Sequence, residues 1–135
     1  MNKYYVLVFG CNGLIGCKLV KSLLKSNYKV IGIDLVSNQK YKSDNFIFIK
    51  KNLNNERNII NLFKYLSSKK LFVNSFVNLI YPKSSQWGKK FGNLKLKYLN
   101  QDLSLQLGLQ IFSLQELLRY YIKQKIKGKV VIVSS

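Results

Sequence analysis

Apolar residues along this chain fall into short runs divided by polar, lysine-rich stretches, and the runs switch between strand-like and helix-like spacing. Tyr4 to Phe9 (YYVLVF) is continuously apolar and ends at Gly10, the pattern of a strand buried on both faces of a parallel sheet. Beyond the next loop, Ile15, Leu19, Val20, Leu23 and Leu24 recur at helical spacing as far as Lys25, and Asn27 is placed to close that helix. Lys29 to Asp34 (KVIGID) predicts a second strand and Phe46 to Lys50 a third. The stretch between them is polar and too short for a full crossover helix.

Asn54 or Asn55 can cap a helix whose apolar positions are Ile59, Ile60, Leu62, Phe63 and Leu66. A fourth strand is expected from Ser75 to Leu79. Ile80 to Asn93 holds the only proline, Pro82, and the only tryptophan, Trp87, and reads as a loop. A long helix over 96–125 and a fifth strand from Lys129 to Ser134 complete the pattern. Alternating strands and helices imply an α/β fold in one domain over 1–135, with a doubly wound parallel sheet in the order 3-2-1-4-5. The long helix is apolar nearly all round (Leu99, Leu103, Leu107, Ile111, Leu118 and Ile122 among others). Such a helix is packed on both sides, either within a monomer or in a homo-oligomer formed through 96–125.

Composition changes this picture only in part. With 135 residues, 47% of them hydrophobic, the chain has the material for a core. No apolar run reaches the roughly 18 to 20 residues that cross a bilayer, and the start lacks a secretory cleavage site, so a cytoplasmic protein without membrane contact is expected. The formal net charge of +18 raises nucleic acid or an anionic substrate as a partner. However, only Arg57 and Arg119 are arginine, and there is no alanine, a bias typical of an AT-rich genome. The lysines are spread along the chain with no nucleic-acid motif to organise them, which makes nucleic acid a weak alternative. Cys11 and Cys17 fit no metal spacing, and no metal is expected. Cys11 lies beside a predicted helix N-terminus, where a thiol pKa can be lowered.

The candidate chemistry is in the loop Gly10-Cys11-Asn12-Gly13-Leu14-Ile15-Gly16, between the first strand and the first helix. Gly10 permits a tight turn, Gly13 lets backbone approach a pyrophosphate, and Gly16 lets the helix pack closely on the sheet. The helix N-terminus offers N–H groups and a positive dipole end to phosphates. Asp34, 18 residues beyond Gly16 at the end of the second strand, can accept hydrogen bonds from ribose hydroxyls and would repel a 2′-phosphate. Lys40 and Lys42 are the nearest cations downstream. NAD(H) is therefore expected, with NADP(H) disfavoured, on a Rossmann-type fold.

At these residues the chain resembles the short-chain dehydrogenases/reductases, with the glycine pattern of the epimerase-like and sugar-modifying members. The resemblance assigns cofactor contacts to Gly10, Asn12, Gly13, Leu14, Ile15, Gly16, Asp34 and Leu35. It places Asn52 and Leu53 at the adenine, and Asn78, Leu79 and Ile80 where the family has a cofactor-lining Asn-Ala-Gly segment. Leu79 and Ile80 are bulkier than the family's residues there, implying a narrower pocket. Asn78-Leu79-Ile80-Tyr81-Pro82, continued as KSSQWGKKF, resembles oxidoreductases of flagellin-modification and nonulosonic-sugar loci, and so implies a sugar or sugar-nucleotide substrate. Lys129 to Ser135 (KVVIVSS) resembles the strand that carries the catalytic serine, which maps to Ser135. Ser104 stands where many members have a relay Asn. The family's Tyr-x-x-x-Lys pair falls about a dozen residues beyond Ser135, so the resemblance implies a domain cut after its fifth strand. Tyr65/Lys69 and Tyr121/Lys125 share that spacing by coincidence.

Two functions follow. One is the NAD(H)-binding half of an oxidoreductase acting on a carbonyl or secondary alcohol, and the other is a dinucleotide-binding module without catalysis.

Overall fold

A computed structural model describes residues 3–37 and 41–134. Lys40 and Ser135, both used in the sequence reading, lie outside them. In chain order the elements are β1 (Tyr5–Phe9), α1 (Leu14–Lys25), β2 (Lys29–Asp34), β3 (Phe46–Lys50), α2 (Glu56–Ser68), β4 (Val73–Asn78), a short 3₁₀ turn (Phe91–Asn93), α3 (Leu96–Leu103), a π-helical turn (Ser104–Gly108), α4 (Leu109–Gln124) and β5 (Lys129–Ile132).

The strands form one sheet in the order β3-β2-β1-β4-β5, and every neighbouring pair is parallel. This is the expected doubly wound α/β order. Both faces are covered, which explains why β1 and β2 are apolar without alternation. On one face α1 packs its Val20 with Val6, Val8, Cys11 and Val30. On the other, α2 and α4 bring Ile59, Leu62, Leu66, Leu117 and Tyr120 against Leu7, Phe9, Ile31, Ile33 and Phe76. Phe9 and Phe76 meet edge-to-face with ring centroids 4.8 Å apart, a favoured aromatic geometry.

Most boundaries fall where the pattern puts them. Asn27 has a left-handed φ of 60° behind α1. Of the two candidate caps, Asn55 is the one used, its side chain accepting the N–H of Asn58 at 2.9 Å. Others differ: β1 starts at Tyr5 rather than Tyr4, and β4 starts at Val73 rather than Ser75. β4 ends at Asn78 rather than Leu79: although the Leu79 N–H still donates to the Phe9 carbonyl, the Asn78 side chain takes the next N–H, that of Ile80, and turns the chain off the sheet. β5 ends at Ile132, after which the Val133 N–H still donates to the Asn78 carbonyl. The long helix runs from Leu96 to Gln124, interrupted by the π turn at 104–108 and closed by left-handed Lys125.

The sheet register places the site. Phe9 is level with Ile33 on one side and with Asn78 on the other, and Asp34 is level with Lys50. The chain therefore leaves β1, β2, β3 and β4 at one edge, at Gly10, Leu35, Lys51 and Leu79. Ligands of open α/β sheets bind outside such carboxyl ends.

Candidate functional site

A cleft of about 480 Å³ opens at that edge, lined among others by Gly10, Asn12, Gly13, Asp34, Leu35, Leu53, Leu79 and Ile80. Its floor is the turn out of β1. Gly10 has a φ of 76°, and a Cβ there would lie 3.2 Å from the backbone of Leu79. The positive φ favours glycine, and the close approach of the Leu79 backbone adds to the preference. At Gly16 the space is tighter still, since a Cβ would fall 2.1 Å from the carbonyl oxygen of Gly10. The first turn of α1 thus sits directly on the β1 turn, with its N-terminus at the cleft. No side chain caps that end and its first turn holds no acid. The mouth keeps unsatisfied amides and partial positive charge.

Asp34 faces this mouth from the end of β2. Its Oδ2 accepts the N–H of Asn12 at 2.9 Å, and its Oδ1 accepts the N–H of Leu35 at 2.7 Å. The Asn12 side chain donates to the Val36 carbonyl, so the glycine loop and the loop after β2 are joined twice. Each carboxylate oxygen retains acceptor capacity for a hydroxyl.

The remaining candidate residues divide into two groups. Leu53, Leu79 and Ile80 form apolar cleft wall, so the two bulky residues after β4 narrow the cleft without filling it. Leu14 and Ile15 are exposed on the first turn of α1. Asn78 is buried, and its carboxamide holds the Ile80 N–H rather than facing the cleft. Asn52 lies outside the cleft lining, with its Oδ1 taking the Asn54 N–H at 2.9 Å. Ser135, outside the described residues, receives no placement. Neither Tyr65 nor Tyr121 reaches the cleft: Tyr65 is on α2, and Tyr121 is buried in the core under α4.

Sequence reasoning missed Val36, Ser37, Lys51, Asn54, Tyr81 and Pro82, which also line the cleft. Lys51 could have been found from register alone, because it follows the residue level with Asp34 and its N–H donates to the Asp34 carbonyl. One expectation is reversed. The Cys11 thiol is pushed up to about 12, by burial first and then by the charge of Asp34. Its side chain packs among Val6, Val8, Val20 and Val30 instead of facing the helix mouth.

A glycine turn, an uncapped helix mouth, a carboxylate at the end of β2 and an apolar wall beyond it together define a Rossmann-type dinucleotide fold. The chain is a member of the NAD dependent epimerase/dehydratase family, whose model matches residues 6–75, just over half of its length. The search of curated proteins finds no match. Among solved structures, it is similar to a short-chain dehydrogenase from Leptospira borgpetersenii with bound NAD+ (23% identity, TM-score 0.88, covering 98% of this chain and 51% of that one). It is also similar to a 4-hydroxyisoleucine dehydrogenase complexed with NADH (21% identity, TM-score 0.78, 98% and 56%). A third is an ElxO variant with NADPH bound (19% identity, TM-score 0.82, 99% and 56%). At these identities the likeness is one of fold, and the chain spans about half the length of each. Among the described residues, no helix is long and apolar enough to cross a membrane.

Proposed function

We propose that this protein binds NAD(H) in the cleft at the carboxyl edge of its sheet and acts as an oxidoreductase on a small molecule. The observation that carries the reading is the 2.9 Å bond from Asn12 N–H to Asp34, which brings an anion-receptive helix mouth and a hydroxyl-accepting carboxylate to one cleft.

In this reading Gly10, Asn12, Gly13, Leu14, Ile15 and Gly16 present backbone to the pyrophosphate. Asp34 and Leu35 receive the adenosine ribose, and Leu53 borders the adenine. Leu79 and Ile80 wall the far side, with buried Asn78 holding the Ile80 N–H behind them. Asp34 disfavours NADP(H) because its charge would face a 2′-phosphate. The cofactor, when bound, supplies hydride transfer at its nicotinamide. The chain's part is to hold and orient it, with Ser135 polarising the substrate carbonyl or alcohol oxygen. The substrate is a sugar or sugar nucleotide of the kind handled in flagellin-modification and nonulosonic-sugar loci. Residues 1–135 belong to one dinucleotide-binding domain, cytoplasmic in location, that associates with a second copy through the helix over 96–125.

Titration with NADH and NADPH, followed by cofactor fluorescence, tests the reading. Saturable binding with NADH clearly tighter is expected. Binding of neither, or equal binding of both, overturns the assignment in whole or in its preference.

A further inference from the structure

The segment leaving β4 makes one wall of the cleft: Leu79, Ile80, Tyr81 and Pro82 all line it. Hydrogen bonds and core packing at Leu79 and Ile80 tie the start of that segment to the sheet edge, so what holds the rest is a separate question. Three side chains on the helical run from α3 to α4 supply the answer. Asp102 accepts both the Ser84 N–H, at 2.6 Å, and the Ser84 hydroxyl, at 2.8 Å. Gln106 donates to the Pro82 carbonyl at 3.0 Å, and Gln110 reaches the Ile80 carbonyl at a longer 3.5 Å.

The spacing has a regular form. Residues 84, 82 and 80 are matched in turn with 102, 106 and 110, so two residues of loop face four residues of helix. Two extended residues span about 6.6 Å and four helical residues about 6 Å, so the two runs stay in step. Rotation is the harder requirement. In an uninterrupted α-helix, positions eight apart are about 80° out of line. The π turn at 104–108 lies between Asp102 and Gln110. By accommodating one extra residue in a turn, it brings eight residues to about two full turns and lines up the three side chains.

We infer that Asp102, assisted by Gln106 and Gln110, is a positioning residue for the dinucleotide cleft: it fixes the wall that runs from Leu79 to Ser84 against the glycine loop. The inference rests on the cofactor reading above. Its strength lies at Asp102, where a carboxylate accepts two bonds from Ser84, itself buried; charge-assisted bonds of this kind are the strong ones. Ser84 in turn orders the next residues, because its carbonyl accepts the Trp87 N–H at 3.2 Å. The single tryptophan therefore reports on the clamp.

The test compares Asp102→Ala with Asp102→Asn in the whole protein, reading NADH affinity, acrylamide quenching of Trp87 and melting temperature. Asn can still accept from the Ser84 N–H and donate to its hydroxyl oxygen. Asp102→Ala is expected to weaken NADH about tenfold and to raise Trp87 quenching, while Asp102→Asn restores both to near wild type. Wild-type affinity in Asp102→Ala overturns the inference, as does an Asn variant no better than Ala. Should Asp102→Ala not fold, Gln106→Ala takes its place, with a smaller loss expected in the same two readouts and none overturning the idea. Should the wild type bind no dinucleotide, the cofactor reading falls. The clamp is then judged on Trp87 alone, and unchanged quenching in Asp102→Ala overturns it.

Discussion

The N–H of Asn12 donates to the carboxylate of Asp34 across 22 residues of sequence, at 2.9 Å. With Leu35 N–H on the other oxygen at 2.7 Å, the carboxylate is fixed before any ligand arrives. Preorganisation of this sort lowers the ordering cost of binding.

Changing Asp34 should therefore act on affinity and on discrimination together. Asp34→Asn keeps the shape but loses the charge that strengthens hydrogen bonds from ribose hydroxyls, so NADH should weaken by about tenfold. Asp34→Arg should weaken NADH further and bring NADPH to equal or tighter binding, since a guanidinium suits a phosphate. Fluorescence titration of the three proteins with both cofactors measures this. An Asp34→Arg protein that still prefers NADH as the wild type does would remove Asp34 from the ribose.

Two glycines in the same loop should separate folding from binding. Gly16→Ala puts a methyl 2.1 Å from the backbone carbonyl of Gly10, so α1 must lift from the sheet. A loss of roughly 3 kcal/mol or more is expected, visible as a large fall in melting temperature. Gly13 has ordinary extended backbone, φ −68° and ψ 172°, and a Cβ there would meet only the Gly10 carbonyl at 3.4 Å. Gly13→Ala should melt within a few degrees of wild type yet bind NADH poorly, because the methyl would stand where the pyrophosphate approaches. Equal melting of the two variants would contradict the packing described here.

The glycine loop, the strand order and the acid at the end of β2 were legible because each rests on local chemistry. Glycine is needed where φ is positive, an apolar run where both faces of a strand are covered, and a short polar link where no crossover helix forms. What was not legible depends on side chains meeting from distant segments. Asp102 reads in sequence as one acid on a leucine-rich helix, and only the fold brings it to Ser84. Cys11 reads as a thiol beside a helix end, yet its direction is set by the packing of α1 on β1 and β2. The π turn has no periodic signature at all, since it alters the phase of the helix rather than its polarity.

The burial of Cys11 has a consequence in alkali. Its thiol is raised from 9.0 to about 12, by burial and then by the Asp34 charge. A raised acid pKa means the folded state holds its proton more tightly than the unfolded one. Its contribution to stability is complete below pH 9 and is lost as pH rises from there towards 12. Cys11→Ala should flatten the fall of unfolding free energy between pH 9 and about 11, relative to wild type in the same denaturant titrations. Parallel curves for the two proteins would show that Cys11 is not buried as a thiol.

The helix from Leu96 to Gln124 buries one side, through Leu117, Tyr120 and Tyr121, and leaves Leu99, Leu103, Leu107 and Ile111 exposed. Those four positions, at 99, 103, 107 and 111, form an apolar stripe at one-turn spacing, which water disfavours and a second helix of the same kind would cover. Within the proposed association of two copies, Leu107→Glu should break the contact, since it would bury an unpaired charge in an apolar stripe. Because Leu107 is exposed in the single chain, the melting temperature of the dissociated protein should stay within a few degrees of a matched Leu107→Ala control, and NADH affinity should not change. Sedimentation at several concentrations decides the point. The wild type should sediment as a dimer and Leu107→Glu as a monomer, and a monomeric wild type at all concentrations would refute the association.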